Sequence, residues 1–210
     1  MGALESGSTA LRIKEPVQRR AKETHNRIIE AARAVFAEHG FDAATTTMIA
    51  EGAGVSIGSV YAHFEDKIEI FIEILAAHSE AVYRYSEAQV TRIMEGNEEP
   101  GATLDWLIAG MYQAHKLSGK LNFEMTRFVL MNERAEKIHA EWEAKEDELI
   151  ISFLRHFRDK IRTDDPSAAA LIVHRSLHEV FQYLFRNRDR VDETRVLAEF
   201  TRMLKRSLLR

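Results

Sequence analysis

The sequence predicts an all-α protein of about nine helices: three short ones first, then a larger helical part. Three observations predict it. Apolar residues recur with a 3.6-residue period along most of the chain, and strand-like alternation is nearly absent. Only three prolines interrupt 210 residues: Pro16, Pro100 and Pro166. Capping residues and glycines stand where the periodic runs begin and end. At 45% hydrophobic and 30% charged, the composition is that of a globular chain.

The first ordered helix is expected over 24–39, with Ile28, Ala32, Val35 and Phe36 as its apolar stripe and Gly40 as its stop. Thr45 is placed to cap a short second helix that turns Ile49, Ala50 and Ala53 inward. Gly54 makes a tight turn, and Ser56 caps a third helix running to about Phe64. Asp66 caps a long fourth helix. Ile68, Phe71, Ile72, Leu75 and Val82 lie on one side of it, Ile70 and Ile74 on another, so it should pack against two layers. "EGNEEPG" reads as a loop. Helices follow at 102–117, 121–131 and 133–162, the first two separated by the turn "SGK". In "TDDP", Asp165 is an N-cap and Pro166 occupies the first helical position of a helix to about 187. Asp192 starts the last helix.

The chain therefore divides into a basic, flexible arm over residues 1–22, a three-helix domain over 23–66 and a helical domain over 67–210. The fourth helix continues from one domain to the next with no flexible linker. The helices at 45–52 and 56–64 form a helix-turn-helix. Ala50, Ala53 and Gly54 keep their crossing close, and Val55, Val60 and Phe64 fill the core beneath. Ile57, Gly58, Ser59, Tyr61, Ala62 and His63 are left on the outer face. In such motifs the second helix lies in the major groove with its N-terminal residues at the base edges.

Here the segment "TTTMIAEGAGVSIGSVYAHFEDK", preceded by "HGFDAA", resembles the DNA-binding segment of TetR-type transcriptional regulators. The resemblance covers about residues 24–70, where a dozen spaced positions agree in order and turn length. Beyond them it extends only to helix number and size. It implies DNA contacts from Thr46, Thr47, Ser56, Ile57, Gly58 and Ser59, with Tyr61, His63 and Lys67 on phosphates. Ile57 replaces the polar residue common at its position and could meet a thymine methyl group. The recognition helix holds no Arg, Lys, Asn or Gln, so base reading should rest on Thr47, Ser59, Ile57 and DNA shape.

The larger domain is then expected to bind a ligand and to dimerise. Val173, Leu177, Val180, Phe181 and Leu184 align on one helix, and Val196, Phe200, Met203 and Leu204 on the next. Two such helices per subunit would form a four-helix bundle across a two-fold axis; periodicity equally allows packing within one chain. Trp106, Tyr112, Phe123, Phe128, Met131 and Trp142 mark an apolar pocket or ordinary core, with Arg127 and His178 among the polar anchors, beside His115 and Asn132. His174 and His178 are four apart on one helical face, yet no third metal ligand is evident, and a polar edge of the interface is the alternative.

The sequence contains no cysteine, which excludes disulfides, thiolate metal sites and thiol nucleophiles. The start has no apolar signal-peptide core, and no run of about 18 apolar residues could span a membrane. A cytoplasmic location is the expectation. The net charge of −4 conceals a local cluster of Arg12, Lys14, Arg19, Arg20 and Lys22, either a phosphate-binding tail or a solvated leader. The expected function is a ligand-responsive DNA-binding regulator, a repressor released from a palindromic operator by a small apolar or amphipathic molecule. The expected partners are double-stranded DNA, a second copy of the chain and an unknown small-molecule effector, with no membrane, metal or cofactor. A regulator without a ligand is the alternative. A metal-dependent helical enzyme lacks a nucleophile motif or a complete ligand set.

Overall fold

A computed structural model describes residues 9–96 and 99–210. Among them are eight helices: α1 (Thr9–Ala43), α2 (Thr46–Ala53), α3 (Ile57–Tyr61), α4 (Lys67–Glu95), α5 (Pro100–Met131), α6 (Glu133–His156), α7 (Pro166–Arg186) and α8 (Glu193–Leu208). α5 is two rods in sequence, broken at Gly119, whose φ of 52° suits only a residue without a Cβ. That break is the "SGK" turn expected between two helices. The only strand-like feature among the described residues is an isolated bridge between Ile161 and Leu209.

The chain forms two compact units, divided inside α4 between Ile74 and Leu75. The first unit therefore takes more of α4 than a boundary at residue 66 allows. Phe71 explains this, because its ring packs edge-on against Phe36 at 4.8 Å and Phe41 at 5.1 Å. Ile28, Ala32, Phe36, Ile49, Val60, Ile70 and Ile74 complete a core from which water is almost wholly excluded. Each fully buried large side chain there contributes on the order of 1.5–3 kcal/mol.

α1 starts well before the expected 24. The arm expected to be flexible over 1–22 is helical from Thr9, and residues 1–8 lie outside the described residues. The segment Glu15–Glu23 is rich in good helix formers, and Arg19 pairs with Glu23 at 3.5 Å one turn apart. α3 is shorter than expected, ending at Tyr61. α6 ends at His156 instead of 162; beyond it Arg162 donates to Leu208 O, and Arg210 to Lys160 O.

The second unit has two apolar clusters. One gathers Val90, Ile93, Leu107, Phe153, Phe157 and Ile161. The other gathers Ile108, Tyr112, Leu177, Phe181 and Leu184. The expected caps form: Asp165 accepts from Ala168 N, and Asp192 from Arg195 N, both at 3.0 Å. Such caps contribute about 1 kcal/mol each.

Candidate nucleic-acid interface and C-terminal cavity

Local capping chemistry builds the helix-turn-helix. Thr45 Oγ1 accepts from Met48 N at 3.2 Å and opens α2. Gly54 closes it in the left-handed region, with φ 61°, and its N–H reaches back to the last turn. Any side chain there would be strained, and its Cβ would also lie 3.1 Å from Arg27 Nη2. Ser56 then opens α3, its Oγ accepting from Ser59 N at 3.1 Å. Asp66 Oδ1 accepts from Glu69 N at 2.9 Å and opens α4.

This arrangement leaves a face of small and hydroxylated residues. Thr47, Ser56, Ile57, Gly58 and Tyr61 are exposed, and Thr46 and Ser59 are partly so. The hydroxyls of Thr46 and Tyr61 lie 3.2 Å apart, which ties the start of α2 to the end of α3. Ile57 and Tyr61 are 40% and 56% exposed, too open for core residues. His63 is half-buried, its ring 5.8 Å from that of His25, which pairs with Glu73 at 2.6 Å.

The structure gives Lys67 a different task from the expected phosphate contact. Its Nζ donates to the carbonyl oxygens of Phe41, Asp42 and Ala44 at 2.8, 3.0 and 2.9 Å, and it lies 4.7 Å from the centre of the Phe41 ring. An ammonium has three N–H donors, and all three are used. Lys67 therefore ties the start of α4 to the α1–α2 turn. Arg27 acts alike at the other turn, donating to the carbonyls of Ala53 and Gly54. The sequence carries no signal for Arg27, because its partners are backbone atoms more than 25 positions away.

The second unit encloses a cavity of about 390 Å³. Val82, Leu107, Met111, Leu149, Phe153 and Leu177 give it mostly apolar walls. A smaller, more polar hollow of about 120 Å³ carries His139, Trp142, Glu143 and Thr126. His78, His115, Asn122, Glu146, His174 and His178 border both. Gly110 belongs to this architecture: a Cβ there would lie 2.8 Å from the hydroxyl of Tyr85, a wall residue.

Of the expected pocket residues, His178 lines both hollows, as does the expected anchor His115, and Trp142 lines the smaller one, whereas the anchor Asn132 caps α6 instead. Six others lie elsewhere. Met131 is 87% exposed, Phe123 is exposed, and Arg127 pairs with Glu124 at 3.2 Å. Trp106 lies under the Arg92 guanidinium, 4.4 Å from its ring centre. Tyr112 and Phe128 are buried side chains off the cavity wall. The reason is rotational phase. Aromatic content reveals that helices are buried, but not which side of α5 faces a void, and one residue turns the face by about 100°. Sequence reasoning missed the α4 contribution from His78, Val82 and Tyr85, whose spacing of about four residues was the available signal.

The expected dimer stripe also changes place. Leu177, Phe181 and Leu184 are buried within the chain, and Val173, Val180, Val196, Phe200 and Leu204 pack against the same cluster. Val173, Leu177, Phe181 and Leu204 are walls of the cavity. Only Met203 of that set is well exposed, at 58%. The stripe meets other helices of its own chain because the intrachain void needs walls. The large apolar residues that α7 does expose are Leu171, Ile172 and Tyr183.

Charge around the junction of the hollows is paired. His174 is held between two carboxylates, Nε2 to Glu146 at 2.8 Å and Nδ1 to Asp147 at 2.6 Å. Burial alone would lower its pKa, but the two carboxylates outweigh burial and raise it. Burial likewise opposes ionisation of Glu143, yet hydrogen bonds from His139 and Arg175 bring its pKa down to about 2. Burial, with His178 and His78 nearby, lowers His115 to about 4. His178 is lowered as well, by burial first and then by His139.

Residues 28–74 match the family described as "Bacterial regulatory proteins, tetR family". The HTH-type transcriptional repressor AcnR of Corynebacterium efficiens is 38% identical over 84 residues, which are 38% of this chain and 43% of that protein. The match thus spans less than half of the relative's length. SmeT, the repressor of the Stenotrophomonas maltophilia multidrug efflux pump SmeDEF, shares the fold with a TM-score of 0.68 at 24% identity, over 90% of this chain and 93% of that one. A SmeT–triclosan complex is also similar, with a TM-score of 0.66 at 22% identity over 89% and 92% of the two chains. NalD, the secondary repressor of the MexAB-OprM pump of Pseudomonas aeruginosa, has a TM-score of 0.69 at 21% identity, over 90% and 98%. The helix-turn-helix over 46–61 thus lies within the segment, residues 28–74, that matches the tetR family of bacterial regulatory proteins.

Proposed function

We propose that the protein is a DNA-binding transcriptional repressor that acts as a homodimer and releases its operator when a small molecule enters the C-terminal cavity. The observation that carries the reading is the exposed face of Thr46, Thr47, Ser56, Ile57, Gly58, Ser59 and Tyr61, built on two capped helices and a left-handed glycine. Such a face admits the DNA backbone closely. Its N–H groups and hydroxyls suit phosphate oxygens, and Ile57 suits a thymine methyl. Lys67 holds this face in shape and does not read phosphate. His63, half-buried, has a place at its edge.

The cavity favours ligand response over a ligand-free regulator, since a filled core would serve the latter. Release then requires that the effector bind the DNA-incompetent state more tightly, by a factor equal to the coupling. Ile172 and Tyr183 on α7 and Met203 on α8 are the surface for self-association, replacing the buried stripe. Gel-shift with DNA from the protein's own upstream region tests the core of the reading. The wild type should bind and Tyr61→Ala should not at the same concentration; equal binding would remove the assigned face.

A further inference from the structure

The place where the two hollows meet decides what kind of molecule fits. We infer that the effector joins an apolar body to a single uncharged, hydrogen-bonding head, such as a hydroxyl, a carbonyl or an un-ionised phenol. The body fills the 390 Å³ hollow, and the head meets His115, Asn122 and His178 at its junction with the smaller one. The inference rests on the effector reading of the cavity.

The first argument is that, among the described residues, neither hollow is lined by an arginine or lysine that could meet an anionic head, and the cations beside them are paired or exposed. Arg175 forms a two-point ion pair with Glu143. His174 has a carboxylate on each ring nitrogen. His139 lies 3.3 Å from Glu143. Lys145, stacked 3.7 Å over Trp142, is exposed to water. An anion here would also face Glu143 and Glu146. Burying a charge without a partner costs far more than burying a paired dipole.

The second argument concerns a cationic head. The carboxylates at the junction already hold Arg175, His139 and His174. Two imidazoles at the same place, His115 and His178, resist taking up a proton. A buried imidazole reports the local cost of positive charge, and these two report that it is high. Glu143 and, less strongly, Glu179 only partly offset that cost at His178.

The third argument is positive. Neutral imidazole offers one donor and one acceptor. His115 Nδ1 lies 2.8 Å from Asn122 Nδ2, an N–H donor, so the neutral ring accepts there and keeps its one proton on Nε2, 3.4 Å from the same amide nitrogen. The His178 ring, mostly buried, makes no hydrogen bond among the described residues, so a ligand hydroxyl or carbonyl would complete it.

The test uses the full chain and three probes of equal length at neutral pH, titrated calorimetrically: 1-decanol, decanoate and decyltrimethylammonium. Trp142 fluorescence in a Trp106→Phe background gives a second readout at the smaller hollow. Decanol should bind about ten-fold or more tighter than either charged probe. His178→Leu should reduce that preference to about three-fold or less, while decanoate changes little. A charged probe that equals or beats decanol in the unsubstituted protein would overturn the head assignment alone. Binding of none of the three would overturn the effector reading of the cavity, and this inference with it.

Discussion

The two units present their functional surfaces in opposite ways. In the first, the candidate surface faces outward and comes from residues 46–61, two helices adjacent in sequence. In the second it faces inward and is assembled from residues 75–208 on α4, α5, α6, α7 and α8. An outward surface needs only its own local structure and a core beneath it. An inward one needs five helices in phase at once. The difference teaches that short-range chemistry suffices for the candidate DNA-binding face, whereas the cavity is a property of packing.

The largest test of this contrast is Lys67→Met. If the lysine is an internal clamp, its loss leaves three carbonyls unpaired and destabilises the first unit by about 2 kcal/mol. Hydrogen exchange at amides 44–50 separates this from events in the second unit. A loss under about 0.5 kcal/mol, with weakened DNA binding, would restore the phosphate role instead. Next comes Tyr61→Ala, expected to weaken DNA binding by about ten-fold, roughly 1.4 kcal/mol. Because Tyr61 is 56% exposed, thermal stability should stay nearly unchanged. A large drop in melting temperature would show that the face is not separable from the core.

Two histidines of the second unit should respond to pH in opposite directions. His115 is held neutral when folded, down to about pH 4. Below its unfolded pKa near 6.5 the unfolded chain binds the proton first, so stability falls as pH drops from about 6.5 to 4. His115→Gln should flatten that decline in denaturation midpoint. His174 has a raised folded pKa, so its contribution is complete below about 6.5 and fades as pH rises through the raised value. His174→Gln should therefore cost more at pH 6 than at pH 9, and the reverse trend would break the assignment of the two carboxylates as its partners. The smallest effect belongs to Met131→Ser, which should alter stability by less than about 0.5 kcal/mol and leave decanol affinity unchanged. A measurable loss of affinity would return α5's end to the pocket.

Much of the fold was legible because its signals are local. Thr45, Ser56, Asp66, Asp165 and Asp192 cap the helices they were expected to cap. Gly54 and Gly119 have the positive φ that their turns require. The site was legible unevenly. The outer residues from Thr46 to Tyr61 lie where periodicity places them, since a five-residue helix on a fixed turn has little freedom. Lys67 was misassigned because its partners are carbonyl oxygens of residues 41–44, invisible to side-chain pattern. The stripe Val173, Leu177 and Phe181 was recognised as apolar, but a periodic stripe does not say whether its neighbour is the same chain or another.

The sequence by itself determined the all-helical class, most helix ends and the surface of the helix-turn-helix. These follow from backbone hydrogen bonding, caps and glycines acting over three or four residues. Only the tertiary structure decided that Lys67 and Arg27 clamp the turns, that α7 faces a void, and that His174 and Arg175 pair with Glu146, Asp147 and Glu143 beside it. Such pairings depend on the rotation of each helix about its axis. That rotation is fixed by the summed packing of all its neighbours and is encoded in no single stretch of the chain.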